Sequence, residues 1–293
     1  MDRQVLDLAN SDGPLAIICG GGSLPFAIAD SVQQGGRKVV LFAIRGWADP
    51  QRVAAYAHHW AALGSFGRFC RIARAQGCRD VVFIGVVLRP KLTQLRIDLG
   101  TLKVFPQIIA AFRGGDDHLL SSIARIFERE GFRLRGAHEV APEILVAEGP
   151  LGRHAPSPRD RADIARGLAL IEATGPFDVG QAAVVADGHV LAIEAAEGTD
   201  QMLVHVAELR RTARVQATGA LGVLIKAPKP HQDRRFDLPT IGPQTVAGAA
   251  RAGLAGIAVV AGETIIAEPQ AVAAAADREK IFVVGSSRKD ALR

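Results

Sequence analysis

The chain is poor in aromatic residues, with one tyrosine, two tryptophans and twelve phenylalanines in 293 positions. Its cores must therefore be built mainly from alanine, valine, leucine and isoleucine. The three cysteines, Cys19, Cys70 and Cys78, show no metal-ligand spacing and each lies in or beside an apolar stretch. They read as small buried core residues, as expected in a reducing compartment. No apolar run reaches the roughly 20 residues that span a bilayer, since stretches such as LAIIC and VVLFAI are only strand-length. The opening segment MDRQVLDLANSDG lacks a secretory pattern, so the expected location is the cytoplasm. A P-loop, a G-x-S-x-G elbow and an H-E-x-x-H pair are all missing, which removes support for P-loop, serine-elbow and zinc-protease chemistry. Zinc-finger spacing and Lys/Arg runs are missing too, and the reading is no nucleic-acid partner.

What is present is a modest basic excess, formally +5, suited to nucleotides, phosphates or an anionic membrane face. Residues 15–87 alternate strand and helix: strands over Leu15–Gly20, Lys38–Ile44 and Asp80–Val87, with helices over Gly21–Gly36 and near Gly67–Gln76. Continuous apolar strands predict a parallel sheet with right-handed crossovers. Leu92–Phe112 reads as mainly helical, and Gly114–Phe132 as a helix capped by Asp116 or Asp117, its apolar face carrying Leu119, Leu120, Ile123, Ile126 and Phe127. Asp117 is kept as a minor site residue. The Pro-, Gly- and charge-rich piece after Gly136 reads as a linker. Beyond it come a helix to Thr174, a hairpin turning at Asp187–Gly188, a helix capped by Thr199, and a strand over Gly219–Ile225. A helix and strand from Thr245, a second short hairpin through Gly262, a helix and a final strand complete the chain. The expectation is an α/β protein: a Rossmann-like parallel-sheet domain over 1–137, a linker over 138–158 and a second α/β domain over 159–293.

The most informative segment is Lys226–Thr245, KAPKPHQDRRFDLPTIGPQT. Its four prolines argue against both a central strand and a helix, leaving a stiff loop that carries cations and carboxylates together. Cations neutralise phosphate oxygens, and carboxylates hold a divalent metal or take a proton from water. In GGGSLP (Gly20–Pro25), the glycines Gly21 and Gly22 with Ser23 and Leu24 open a helix just after the first strand, a place suited to phosphate. The spacing is not G-x-G-x-x-G, and the second strand ends in Arg45 with no acid, which argues against NAD. Arg89 would project near the same crevice. EAAEGTD (Glu194–Asp200) gathers three acids with Thr199. His138 and His231 lie in polar loops and could bind phosphate; His189 and His205 read as surface residues.

GGGSLP, LFAIRGWADP, GVVLRP, GDDHLLSSIARIFEREGF, GAHEVAPEIL, EGTDQML and KAPKPHQDRRFDLPTIGPQT, in this order, resemble the UDP-2,3-diacylglucosamine pyrophosphatases of the two-domain, non-calcineurin type, over essentially the whole chain. The resemblance implies hydrolysis of the UDP-2,3-diacylglucosamine pyrophosphate to UMP and 2,3-diacylglucosamine 1-phosphate (lipid X) in lipid A biosynthesis, with water attacking the sugar-side phosphorus and magnesium or another divalent cation required. The family's loop acid falls on Asp233, with Asp237 its neighbour. On this reading Gly21, Gly22, Ser23, Leu24 and Arg89 hold the uridine side. Lys226, Lys229, Gln232, Arg235 and Thr199 face the pyrophosphate, and Asp233, Asp237 and Asp200 position the metal. The resemblance implies that residues 159–293 form the catalytic and lipid-binding domain, with ligand in the interdomain crevice, and two acyl chains require an apolar groove, most simply in the Ala/Leu/Val-rich C-terminal half or at the crevice. Peripheral contact with the inner leaflet and a homodimer are expected. The alternatives are a non-catalytic UDP-sugar-binding regulator, an NAD(P)-linked oxidoreductase and a nucleotidyltransferase.

Overall fold

The computed structural model describes residues 13–88, 95–112, 116–177, 179–212, 220–230, 233–236 and 238–288, without the side chains of 116–118. Two compact units emerge, residues 1–142 with 233–237, and residues 143–232 with 238–293.

The first unit runs β1 (Leu15–Cys19), α1 (Leu24–Gln34), β2 (Val39–Ile44), α2 (Pro50–Val53), β3 (His58–Ala61), α3 (Phe66–Ala75) and β4 (Asp80–Ile84). It continues with α4 (Leu99–Leu102), α5 (Phe105–Ala111), α6 (Asp116–Arg129), β5 (Arg133–Leu134) and α7 (Ala137–Val140). The five strands are all parallel in the order β3-β2-β1-β4-β5, the Rossmann-like arrangement expected. Chain direction across the sheet reverses between β1 and β4, so the carboxyl ends of those strands form the switch point where such folds place ligands. β3, HHWA, was not foreseen: it is short and half-buried at the sheet edge, with too few apolar residues to signal a strand. The helix read over Leu92–Phe112 is, in its described part, two short helices, with Asp98 capping α4 by accepting from the Thr101 amide at 2.8 Å. Asp116 and Asp117 fall outside the described side chains.

The core of this unit departs from the aliphatic expectation. Phe42, Phe66, Phe69, Phe83, Phe127, Phe132 and Phe236 gather in one cluster, so seven of the twelve phenylalanines concentrate on one face of the sheet. Their rings meet tilted or edge-on, Phe42 and Phe69 at 4.5 Å and Phe66 and Phe127 at 4.8 Å, the geometries that ring quadrupoles favour. All three cysteines are free and buried; burial pushes the Cys70 thiol up to about 12, as an inert core residue requires. At the opposite end of the sheet, buried Asp80 accepts from Arg37 at 2.7 Å and Arg133 at 2.8 Å. That pairing makes its charge tolerable at 1% exposure.

The second unit contains β6 (Gly149–Pro150), α8 (Pro158–Thr174), β7 (Ala182–Ala186), β8 (His189–Ile193), α9 (Gly198–Arg211), β9 (Val223–Lys226) and β10 (Thr240–Ile241). Then follow α10 (Pro243–Arg251), β11 (Gly256–Val260), β12 (Ile265–Ile266), α11 (Pro269–Glu279) and β13 (Phe282–Ser286). Six strands form a mixed sheet, β6-β13-β11-β9-β7-β8. Alternation along β7 divides the core: Ala183 and Val185 face α8, while Ala182 and Val184 join the residues of α9, α10 and α11 on the other face. Here the core is almost wholly aliphatic, as composition implied. Asp187 and Gly188 both take positive φ, 50° and 73°, the twist a two-residue hairpin needs. The buried Asp163 carboxylate accepts from both turn amides, at 2.9 and 2.7 Å. The second hairpin, expected through Gly262, does not form. β12 pairs in parallel with β10 instead of returning along β11, which satisfies its backbone within a separate two-stranded sheet.

Candidate active site

The loop acid lies on the first unit, although C-terminal sequence flanks it on both sides. Phe236 packs edge-on against Phe83 at 5.6 Å, joining the phenylalanine cluster. Phe83 is the penultimate residue of β4, in register with Ile18 of β1. The Asp233–Phe236 segment is thereby pinned at the carboxyl end of the β1–β4 pair. The glycine turn occupies the same end: the Gly20 amide donates to the Ile84 carbonyl at 2.9 Å, and Gly21 and Val86 exchange two backbone bonds at 2.9 Å. The fold therefore brings the glycine turn and the acidic loop, some 200 positions apart in sequence, to one switch point.

The glycines have separable reasons. A Cβ on Gly20 would lie 2.7–2.8 Å from the Gly85 and Val86 backbone, so close chain approach demands glycine there. Gly22 has φ +92° and open space around it, the conformation glycine takes without penalty. Pro25 falls in the first turn of α1 as anticipated, but Ser23, though at the N-cap, makes no side-chain cap bond.

Within the loop, Arg235 grips Asp233 with two nitrogens, Nε at 3.0 Å from Oδ1 and Nη2 at 2.8 Å from Oδ2. Its backbone N–H donates to Oδ1 at 3.1 Å. The third guanidinium nitrogen, Nη1, donates to Glu128 of α6 at 2.8 Å, a partner that sequence reading did not foresee because helix 116–129 showed only its apolar face. The Arg235 side chain holds the Asp233 carboxyl below the usual carboxylate range, so the acid is ionised near neutrality. His138, read as a polar-loop residue, sits on α7 beside the loop: a Cβ on Gly136 would meet its ring and come within 3.3 Å of the Arg235 Cα. The His138 Nδ1 is buried without a partner among the described residues. Burial, with a smaller contribution from Arg234, lowers its pKa and keeps the ring neutral.

In the second unit, Lys226 ends β9 and is buried at 7% exposure. Its ammonium donates to the Thr199 hydroxyl and the Thr240 carbonyl, both at 3.1 Å. Thr199 donates in turn to Glu194 at 2.8 Å, and the other Glu194 oxygen accepts from the Gln181 amide at 2.9 Å. This corrects the capping role expected for Thr199, whose hydroxyl joins a carboxylate to an ammonium, while Glu197 takes the N-cap position. Glu194 is the member of the EAAEGTD acids that the fold uses here. Asp200 is exposed in the first turn of α9, where the helix dipole favours an acid. Lys229 is half-buried. Arg89, His231, Gln232 and Asp237 lie outside the described residues.

No three His, Cys, Asp or Glu side chains converge among the described residues, so these residues alone make no all-protein metal cage. Magnesium, however, commonly binds through one or two carboxylates completed by substrate phosphates and water. The ionised Asp233, held in a loop with cations on either side, fits that donor set.

The comparisons agree with this architecture. The LpxI N-terminal domain matches residues 14–144 and the LpxI C-terminal domain matches residues 147–284. The chain is also 46% identical over 271 residues to the UDP-2,3-diacylglucosamine pyrophosphatase LpxI of Caulobacter vibrioides, covering 92% of this chain and 96% of that protein. With both of its domains matched in order and nearly all of its length aligned, the chain belongs to the LpxI family.

Proposed function

We propose that this protein hydrolyses the pyrophosphate of UDP-2,3-diacylglucosamine, giving UMP and 2,3-diacylglucosamine 1-phosphate. The observation that carries the reading is the seating of Asp233 and Arg235, through Phe236, at the carboxyl ends of β1 and β4 beside the glycine turn. The helix start at Gly21–Leu24 offers backbone donors to a phosphate. Arg235 can transfer donors from Asp233 to phosphate oxygens while Glu128 keeps its guanidinium in place, and Asp233 is then released to orient the attacking water. In the second unit, the Lys226 ammonium, aligned by Thr199 and Glu194, is a fixed cation of the kind that neutralises phosphate oxygens. The family resemblance assigns further phosphate contacts to Lys229, Arg89 and Gln232, and further acids to Asp237 and Asp200. A divalent cation, held by Asp233 with the substrate's own phosphate oxygens, would lower the charge on the diphosphate and the pKa of water.

The test is incubation of the full chain with the lipid nucleotide and magnesium, following both products by phosphorus NMR. Equal formation of UMP and the sugar phosphate is expected, with loss of activity on chelation. Tight binding without UMP would favour the UDP-sugar-binding regulator and contradict hydrolysis. The substrate's lipid half extends the proposal to peripheral contact with an anionic leaflet, and the general bias of homo-oligomers toward two-fold pairs extends it to a homodimer. No helix among the described residues is long and apolar enough to cross a membrane.

A further inference from the structure

The basic excess of the chain lies in one stretch. Residues 45–103 hold ten Lys or Arg against three Asp or Glu, a formal +7, while the full chain is +5; the remainder is net acidic. The fold gathers part of this charge on one wall of the first unit. Arg45 follows β2, Arg68 and Arg71 lie one turn apart on α3, and Arg96 precedes α4. All four line a single cleft of about 660 Å³ with Trp60 and Ile97. No carboxylate among the described residues pairs with these guanidiniums. Asp98, the one acid in the cleft, is occupied by the amides of Gly67, Arg68 and Thr101. Arg45 lies over the Trp60 ring at 5.7 Å, which keeps its charge at the cleft wall.

Beside the cleft, apolar side chains are held out into water. Ile97 is exposed, and Leu99 and Leu102 on α4 are 85% and 55% exposed. Three residues apart on a helix, the two leucines share a face. Four residues make no stable helix alone, and α4 is stapled to the start of α3. The buried Thr101 hydroxyl donates to the Gly64 carbonyl at 2.6 Å and accepts from the Phe66 amide at 3.0 Å. Gly67 and Gly100 meet so closely that a Cβ on either would lie 2.5–2.6 Å from the other's Cα. Scattered surface leucines are ordinary, but these two are fixed on one face of a stapled turn, next to unpaired arginines.

We propose that α4 and the arginine cleft form the face by which this protein docks on an anionic bilayer leaflet. Leu99 and Leu102 enter the boundary between headgroups and acyl chains, and Arg45, Arg68, Arg71 and Arg96 meet lipid phosphates. This rests on the lipid-substrate reading above and adds the surface that meets the leaflet; the substrate's diphosphate stays at the glycine turn and acidic loop. A nucleic acid would engage the cations and leave the leucines in water. A neutral apolar partner would cover the leucines and leave the cations unmet. An anionic leaflet takes both, because apolar burial and attraction of cations add. The cleft lies where β2 and β3 end, and the sheet is parallel, so docking turns the edge that carries the glycine turn toward the bilayer.

The test is co-sedimentation of the full chain, without substrate, with vesicles of phosphatidylcholine alone and of equal parts phosphatidylcholine and phosphatidylglycerol. Leu99→Ser with Leu102→Ser removes the apolar half of the face, and Arg68→Ala with Arg71→Ala removes charge. All four positions are exposed, so melting temperatures are expected to stay at the wild-type value. The expectation is preference for the anionic vesicles, weakened about tenfold or more by either double substitution and weakened by added salt. UMP release from substrate embedded in vesicles should fall in step, while both variants keep wild-type turnover on substrate dispersed in detergent. Equal binding to both vesicles, binding to neither, or unchanged binding in either folded variant would overturn the proposal. So would tighter binding of an oligonucleotide than of the anionic vesicles, or lost turnover on dispersed substrate. If the wild-type chain released no UMP from dispersed substrate, the hydrolase reading would fall, while sedimentation would still decide the docking face.

Discussion

At the scale of single residues, the charged loop was legible and the surroundings of its acid were not. The loop stood out because it gathers cations and carboxylates among prolines, and the family resemblance pointed to Asp233 within it, with Asp237 as its neighbour. Glu128, which accepts from the Arg235 that grips Asp233, was hidden, since it sits 107 positions before that arginine on a helix whose pattern shows only which face is apolar. The same holds for Lys226: its position was marked, but the Glu194–Thr199–Lys226 chain depends on a hairpin and a helix start meeting β9. Replacing Lys226 by Met leaves the Thr199 hydroxyl and Thr240 carbonyl without their donor. A stability loss of about 1–3 kcal/mol is expected in urea titration, together with slower UMP release. His138 makes a pH prediction. Its folded pKa is lowered below the ordinary value by burial, which outweighs the opposing pull of Glu139 and is aided by the smaller effect of Arg234, so the unfolded chain takes up a proton that the folded chain resists. Stability therefore falls as pH drops below about 6.5 and levels off once the folded pKa is passed. Asp233 acts at lower pH, because its depressed pKa supplies stability above the unfolded value of about 3.9 and loses it as pH falls through the folded one. Melting temperatures measured from pH 7 to 5 should decline in the wild type and flatten in His138→Gln; identical slopes would remove His138 as the cause.

At the scale of elements, strands buried on both faces and helices with clear apolar stripes were readable, because periodicity records burial directly. Three features escaped. β3 is a short edge strand with two histidines and a tryptophan, and the pairing of β12 with β10 needs a tertiary choice between two possible partners. The third is the seating of Asp233–Phe236 on the other unit, which hydropathy in a proline-rich loop does not reveal. Phe236 is the element's anchor. Truncating it to Ala is expected to cost about 2 kcal/mol, below the 3–5 of a fully buried phenylalanine since Phe236 is half-buried. UMP release should fall further than stability does, because Asp233 loses its placement; a variant with full activity would detach the loop from the mechanism. Gly20→Ala presses a methyl into the Gly85 and Val86 backbone. It should destabilise by about 1–3 kcal/mol, seen as a lower urea midpoint.

At the scale of the whole molecule, overall composition was right for one half and misleading for the other. The second unit is aliphatic, as a chain with 5% aromatics suggests. The first concentrates its few aromatics into a single cluster that walls a cavity and carries the acidic loop, and an average over 293 residues cannot show such clustering. The central claim is that Asp233, pinned at the β1–β4 switch point, serves the hydrolysis rather than the fold. The direct measurement is UMP release by purified Asp233→Ala with magnesium and the lipid nucleotide, alongside its melting temperature. The account predicts turnover lower by about a hundredfold or more, with a melting temperature within a few degrees of wild type. Near wild-type turnover in the folded variant would contradict it.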